Sequence, residues 1–284
     1  MSVLDMKPYI EKEIFDLSKY VFTLKEKGIV PKFYILTDGV DDRCKTYMKS
    51  KLNYGEKVGI DVQVKVVTNI IELDKILKEC IKEKIPVIMQ LPIKKELEDY
   101  YNSYEEIKNF DIDGFFSYQK LVERDWDNAP CTPKGVMNFI LDSNGLDLDC
   151  RKKHLVVAGR GNLCGMPISI MGMQEFGTVT VLTSKTNKYT KLQALKTADV
   201  VVLATGVKGS VKMSELPKDK NIFVMNVGTM FDEHGKLTTE LDIDCERENV
   251  WYTPRIGGVG VLTVLTLLEN CITFYINIIK EQCM

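Results

Sequence analysis

Short apolar runs rich in β-branched residues, each closed by a polar or glycine turn, recur along this chain and limit what it can fold into. KFYILT (32–37), VQVKVV (62–67) and PVIMQLP (86–92) come first; HLVVAG (154–159), TVTVLT (178–183), DVVVLATG (199–206), NIFVMNVG (221–228) and VWYTP (250–254) follow. Such runs read as strands. Between them lie helical patterns, such as IIELDKILKECIKE (70–83), where Ile71, Leu73, Ile76, Leu77, Cys80 and Ile81 recur at helical spacing. Strands alternating with helices build βαβ units, whose crossovers require a mostly parallel sheet. The chain therefore reads as α/β, with one alternation before about residue 115 and a second, Rossmann-like one from about residue 154. The stretch 115–150, with PCTPKG (130–135) and a helix-like VMNFILDSNGL, joins them, and 164–176 reads as a helix.

At 284 residues, 45% hydrophobic and 27% charged, the chain can bury a core without disulfides or metals, and it is too apolar for disorder. Its net charge is −2 and its Lys and Arg are scattered, which argues against a nucleic-acid partner. The eight cysteines contain no C-x-x-C pair. They read as reduced thiols in a reducing compartment, and no metal is expected. The N-terminal MSVLDMKPYIEKEIF has neither a signal-peptide core nor an Arg-rich transit pattern. The apolar stretch 259–279 is broken by Glu269 and Asn270 and reads as a buried helix, not a membrane span. A cytoplasmic location is expected.

Two constellations carry chemistry. The first strand of the second alternation runs into Gly159-Arg160-Gly161-Asn162-Leu163-Cys164-Gly165. Glycines let a backbone approach a pyrophosphate, and the following helix aims its N-terminus at the phosphate. The spacing is one residue longer than the usual fingerprint. The next strand ends in Thr183-Ser184-Lys185-Thr186. An NAD-selective site usually carries an acidic residue there to hold the ribose hydroxyls. Here Ser184 and Arg160 can instead donate to a 2′-phosphate, so NADP is favoured over NAD.

The second constellation begins with Tyr47-Met48-Lys49-Ser50-Lys51, where Tyr47 and Lys51 share a helix face. Tyr and Lys at this spacing are common on solvated helices. However, Gln90 ends a buried strand and Asp113 sits in the turn Asp111-Ile112-Asp113-Gly114. Ligand groups collect at the carboxyl ends of parallel strands, so Tyr47, Lys51, Gln90 and Asp113 are expected to converge. His154 opens a strand and His234 sits in a polar turn, and both read as structural.

At these residues the chain resembles the bifunctional methylenetetrahydrofolate dehydrogenase/methenyltetrahydrofolate cyclohydrolase family. YMKSK with KVGI, VIMQLP, DIDGF, PCTPKG, GRGNLCGMP, TVTVLTSKT, ADVVVLATG and TPRIGGVGVLT appear in family order over nearly the whole chain. The resemblance implies an N-terminal α/β folate domain over 1–122, completed by a C-terminal helix over 262–284, and a Rossmann-type cofactor domain over 123–261. It implies that Lys51 moves protons in the cyclohydrolase step, Tyr47 packs on the folate, Gln90 hydrogen-bonds Lys51 and Asp113 binds the pterin-type ring. It places Gly159, Arg160, Gly161, Gly165, Ser184 and Thr205 at the cofactor, and Gly257, Gly258 and Val259 at the substrate.

The activity implied is oxidation of 5,10-methylenetetrahydrofolate to the methenyl form with NADP (NAD being possible), then hydrolysis to 10-formyltetrahydrofolate. It also implies one-carbon supply to purine biosynthesis and a homodimer joined through the cofactor domain. Departures from the family pattern are Cys44 and Gly161 where Ser is usual, Asn226-Val227-Gly228 for Asp-Val-Gly, QLPIK for QLPLP, and Arg255, Ile256 and Val261 in the loop TPRIGGVGVLT. The alternatives are a monofunctional member of the family, another two-domain dehydrogenase of shikimate or amino-acid type, or a non-catalytic folate- or nucleotide-binding regulator. The second of these would not need the YMKSK, QLP and DIDG set.

Overall fold

The structure is a computed structural model and describes residues 2–282 apart from 41, 117, 143, 144, 147, 229 and 232–236. In chain order its elements are β1 (Ser2–Val3), α1 (Lys7–Glu26), β2 (Lys32–Thr37), α2 (Asp42–Val58), β3 (Asp61–Val66), α3 (Ile70–Glu83), β4 (Val87–Met89), α4 (Lys95–Ser103), α5 (Tyr118–Val122) and α6 (Cys131–Leu141). Then follow β5 (His154–Ala158), α7 (Gly165–Glu175), β6 (Thr178–Leu182), α8 (Lys188–Thr197), β7 (Val200–Leu203), β8 (Val211–Lys212), β9 (Ile222–Asn226), β10 (Met230–Phe231), β11 (Leu237–Thr238), β12 (Leu241–Asp242), β13 (Val250–Tyr252) and α9 (Val259–Gln282). The chain divides into two compact units.

One unit comprises Glu11–Ser117, Asp127–Cys131 and Val264–Met284. Its sheet has the order β3-β2-β4, and both pairings are parallel. Helix α3 starts at Asn69, whose side chain accepts a hydrogen bond from the Glu72 amide, and buries Leu73, Leu77 and Cys80 against β2 and β4. Ile71, though at helical spacing with these residues, is 83% exposed, because it falls on the opposite side of the first turn. Beyond α4 the chain returns to β4: the Val87 amide donates to Phe110 O (2.9 Å) and the Ile112 amide donates to Val87 O (3.2 Å). This parallel bridge carries the Asp111–Gly114 turn to the carboxyl end of β4.

The far end of α9 completes this unit, as expected for the C-terminal helix. Asn270, fully buried, donates to both Ile112 O and Ala129 O at 3.0 Å, and the Tyr275 hydroxyl donates to Lys32 O at 2.9 Å. By length and composition α9 could cross a membrane, but 61% of its apolar window is buried inside the protein. That is the signature of a core helix.

The other unit comprises Met1–Ile10, Tyr118–Trp126 and Thr132–Thr263. Its six-stranded sheet has the order β1-β13-β9-β7-β5-β6 with every pairing parallel. Val156, Val201, Leu203 and Val224 form its apolar centre. Its bounds differ from the expected 123–261, because Ser2 and Val3 pair with Trp251 and Tyr252 and so add the chain's first strand to this sheet. Nothing in the polar N-terminal sequence signals a two-residue strand. Within PCTPKG, α6 begins at Cys131 and places Pro133 in its first turn, where a missing amide costs no helical hydrogen bond.

Candidate active site

In the first unit, α2 carries Tyr47 and Lys51 one turn apart. Lys51 is only 9% exposed, and its Nζ donates to Gln90 Oε1 at 2.8 Å. Gln90 directly follows β4 and is fixed in turn, its Nε2 donating to Leu91 O at 2.8 Å. The amide therefore presents its oxygen to the lysine, which settles the orientation of its side chain. Asp113 is half-buried on the turn beside β4. Burial pushes its carboxyl above the ordinary range, while the nearby Lys51 ammonium and a hydrogen bond with the Cys131 thiol pull it back. Tyr47 remains 41% exposed, leaving its ring available to a ligand. Lys51, Gln90 and Asp113 thus come together, with Tyr47 a turn away on the same helix.

Three residues here escaped sequence reasoning. Asp111 is buried, and its carboxylate accepts from the Gly114 and Phe115 amides at 3.1 and 3.0 Å and from the Tyr101 hydroxyl at 3.3 Å. Cys131 donates its thiol to Ile112 O at 3.4 Å, and burial next to Asp113 pushes its pKa well up. Asn270 lies 3.6 Å from that sulfur. Asp111 was in view as half of the DIDG motif, but spacing alone does not reveal which carboxylate turns inward.

In the second unit, a cleft of about 460 Å³ opens at the carboxyl ends of β5, β6 and β7. Gly159, Arg160, Gly161, Ser184 and Thr205 line it. Gly159 has φ +109°, and a Cβ there would lie 2.2 Å from Ala204 O. A Cβ on Gly165 would lie 2.4 Å from Gly159 O, so the turn and the start of α7 can close only with glycine at both positions. Gly161 has open space around its Cβ position, so the absent serine leaves no steric trace. No side chain caps α7 at Cys164.

The turn after β6 satisfies itself: the Thr183 amide donates to Thr186 Oγ1 (2.9 Å) and the Lys185 amide to Thr183 Oγ1 (3.2 Å). Ser184 and Arg160 are left exposed. Among the described residues no carboxylate lines the cleft, whereas Lys191 does, paired with Glu215 at 2.7 Å. An anionic, phosphate-bearing cofactor fits this lining. Lys191 was missed because it sits on α8, away from any motif. The hydroxyl of Thr205 is turned inward to Glu240, so Thr205 meets the cleft with its remaining atoms.

Gly257 and Gly258 precede α9 in the same unit. Gly257 has φ +75°, and a Cβ on Gly258 would lie 2.1 Å from Pro254 O. Val259, 4% exposed, begins the helix. The ring of His154 meets the hydroxyls of Thr197 (3.0 Å) and Thr180 (2.9 Å), in keeping with a structural role. His234 and the side chain of Cys44 lie outside the described residues.

Residues 130–278 match the model of the tetrahydrofolate dehydrogenase/cyclohydrolase family, NAD(P)-binding domain. The chain is 30% identical over 276 residues to the bifunctional protein FolD of Staphylococcus aureus, covering 94% of each. Among solved structures it is similar to the Trypanosoma brucei N5,N10-methylenetetrahydrofolate dehydrogenase-cyclohydrolase, complexed with NADP and an inhibitor (TM-score 0.84, 25% identity, 98% of each chain covered). It is equally similar to the bifunctional FolD of Campylobacter jejuni (TM-score 0.84, 27% identity, 98% of this chain and 99% of that one). The glycine cradle, the lysine–glutamine pair and these matches lead to one conclusion: the chain belongs to the tetrahydrofolate dehydrogenase/cyclohydrolase family.

Proposed function

We propose that this protein oxidises 5,10-methylenetetrahydrofolate with NADP and hydrolyses the methenyl product to 10-formyltetrahydrofolate. The observation that carries the hydrolytic half is the buried hydrogen bond from Lys51 Nζ to Gln90 Oε1. The bond to the amide oxygen fixes the direction of the amine within the buried site. Lys51 is then placed to take a proton from the attacking water and return it to the departing ring nitrogen. Asp113 binds the pterin-type ring, and Tyr47 packs on it. Gly257, Gly258 and Val259 are substrate-binding residues by the same reading.

NADP, when bound, supplies the hydride acceptor. The residues that would hold it are Gly159, Arg160, Gly161 and Gly165 at the pyrophosphate and ribose, with Ser184 and Thr205 beside them. On this reading the unit of Glu11–Ser117, Asp127–Cys131 and Val264–Met284 is the folate domain, and the unit with the six-stranded sheet is the cofactor domain. The protein works in the cytoplasm as a homodimer joined through its cofactor domain, supplying one-carbon units for purine biosynthesis without nucleic-acid or membrane partners.

The test is a spectrophotometric assay of both steps. Lys51→Met is expected to slow methenyl hydrolysis by at least about a hundredfold, the usual share of a positioned acid–base group, and to leave hydride transfer measurable. Hydrolysis by Lys51→Met at the wild-type rate would remove Lys51 from the mechanism.

A further inference from the structure

The wall of the NADP cleft formed by Ala204, Thr205, Val207 and Ser210 owes its shape to a residue outside it. Glu240 is completely buried. Its Oε2 accepts from the Thr205 amide at 2.8 Å, from the Thr205 hydroxyl and from Ser210 Oγ at 3.3 Å. Its Oε1 accepts from the Gly206 amide at 3.1 Å. Thr205 Oγ1 then accepts from the Val207 amide at 3.0 Å, extending the network one residue further. A buried carboxylate is tolerable only with donors of this kind around it, and each is stronger for being charge-assisted.

Glu240 is itself held in place. The next residue, Leu241, donates its amide to Asn226 Oδ1 at the end of β9 (3.2 Å). Room for the carboxylate exists only because residue 228 has no side chain: a Cβ on Gly228 would lie 2.0 Å from Glu240 Oε1. One side chain therefore ties the loop after β7 to the segment between β11 and β12.

We infer that Glu240 is a positioning residue of the cofactor site: without touching NADP, it holds residues 205–210 in the shape that meets the dinucleotide. This rests on the cofactor reading proposed above. Glu240→Gln keeps the size of the side chain but turns one acceptor into a donor facing donors. It is expected to raise the NADPH dissociation constant, read by cofactor fluorescence, by about tenfold or more, the weight of one charge-assisted hydrogen bond. The KM for methylenetetrahydrofolate is expected to stay within about twofold of wild type. Amide exchange should quicken at Thr205 and Gly206 and stay slow in β5, β7 and β9.

If Glu240→Gln does not yield folded protein, Glu240→Asp carries the same measurements, with the carboxylate retained and drawn back. Wild-type protein that does not bind NADPH would overturn the cofactor reading. Wild-type binding matched by the Glu240 variant would overturn the positioning role alone. So would parallel loss of NADPH affinity, folate KM and protection throughout the sheet, which would make Glu240 a residue of the fold only.

Discussion

Asp111 and Asp113 are two residues apart, yet their surroundings assign them different work. Asp111 is sealed among the amides of Gly114 and Phe115 and the hydroxyl of Tyr101. Desolvation, then the charge of Asp113, pushes its carboxyl up to about 7. Between roughly pH 4, where the carboxyl of an unfolded chain titrates, and pH 7 the folded protein holds a proton that the unfolded chain has released. The sign follows from linkage: stability falls as pH rises through this window and levels off above it. Asp111→Asn cannot ionise, and its amide can still serve Tyr101. Wild type is therefore expected to lose roughly 2–3 kcal/mol more than Asp111→Asn between pH 5 and pH 8, one proton over about two pH units. Denaturant midpoints at the two pH values measure this; parallel pH profiles would contradict it. Arg160 is the matching test in the cofactor cleft. Exposed and in no ion pair among the described residues, its guanidinium is available to a 2′-phosphate. Arg160→Ala is expected to raise the KM for NADP by about tenfold to a hundredfold and to change that for NAD little, whereas equal effects on both would show that Arg160 does not read the phosphate.

Among the elements, the junction of β5 with α7 has the tightest tolerance. At Gly165 an added methyl would run into the backbone of Gly159 and Arg160, which cannot move aside as a side chain would. At Gly161, four residues earlier, the same methyl meets open space. Gly165→Ala is expected to weaken NADPH binding by at least about tenfold, because misplacing the turn breaks the close approach of backbone to phosphate, while Gly161→Ser should bind as wild type does; titration of both variants decides, and equal affinities would mean the turn is not a cradle.

The contrast marks what sequence can and cannot reveal at this scale. The strands were legible because HLVVAG and DVVVLATG are buried on both faces and so leave unbroken apolar runs. The lysine site was legible through the order of YMKSK, QLP and DIDG. Glu240 was not: TTELDID reads as a solvated acidic stretch, and only the return of the chain to β8 as β12 brings its carboxylate under Thr205. β1 was illegible for a similar reason, since two residues cannot display a period.

For the molecule as a whole, ligand binding and stability are linked. NADP at about a hundred times its dissociation constant should stabilise the unit that binds it by about 2.7 kcal/mol, or about 5–10 °C in melting temperature for a unit of this size. Calorimetry with NADP and with NAD at the same concentration reads the preference without any enzyme assay. An equal shift from NAD would overturn the choice of NADP.

Helix α9 bears on how the protein is made. Asn270 supplies the hydrogen bonds for the carbonyls of Ile112 and Ala129, and Tyr275 supplies one for Lys32. On the ribosome, residues 11–117 emerge long before these partners exist. At Ile112 O the turn that bears Asp113 has only the Cys131 thiol as a donor until about 150 further residues have been translated and residue 270 arrives. The six-stranded unit, whose last strand ends at Tyr252, has all its strands in hand by then. The lysine site is therefore the part of the nascent chain that is finished last, and a message cut short just before α9 would yield a chain able to build the NADP cleft but not the site around Lys51.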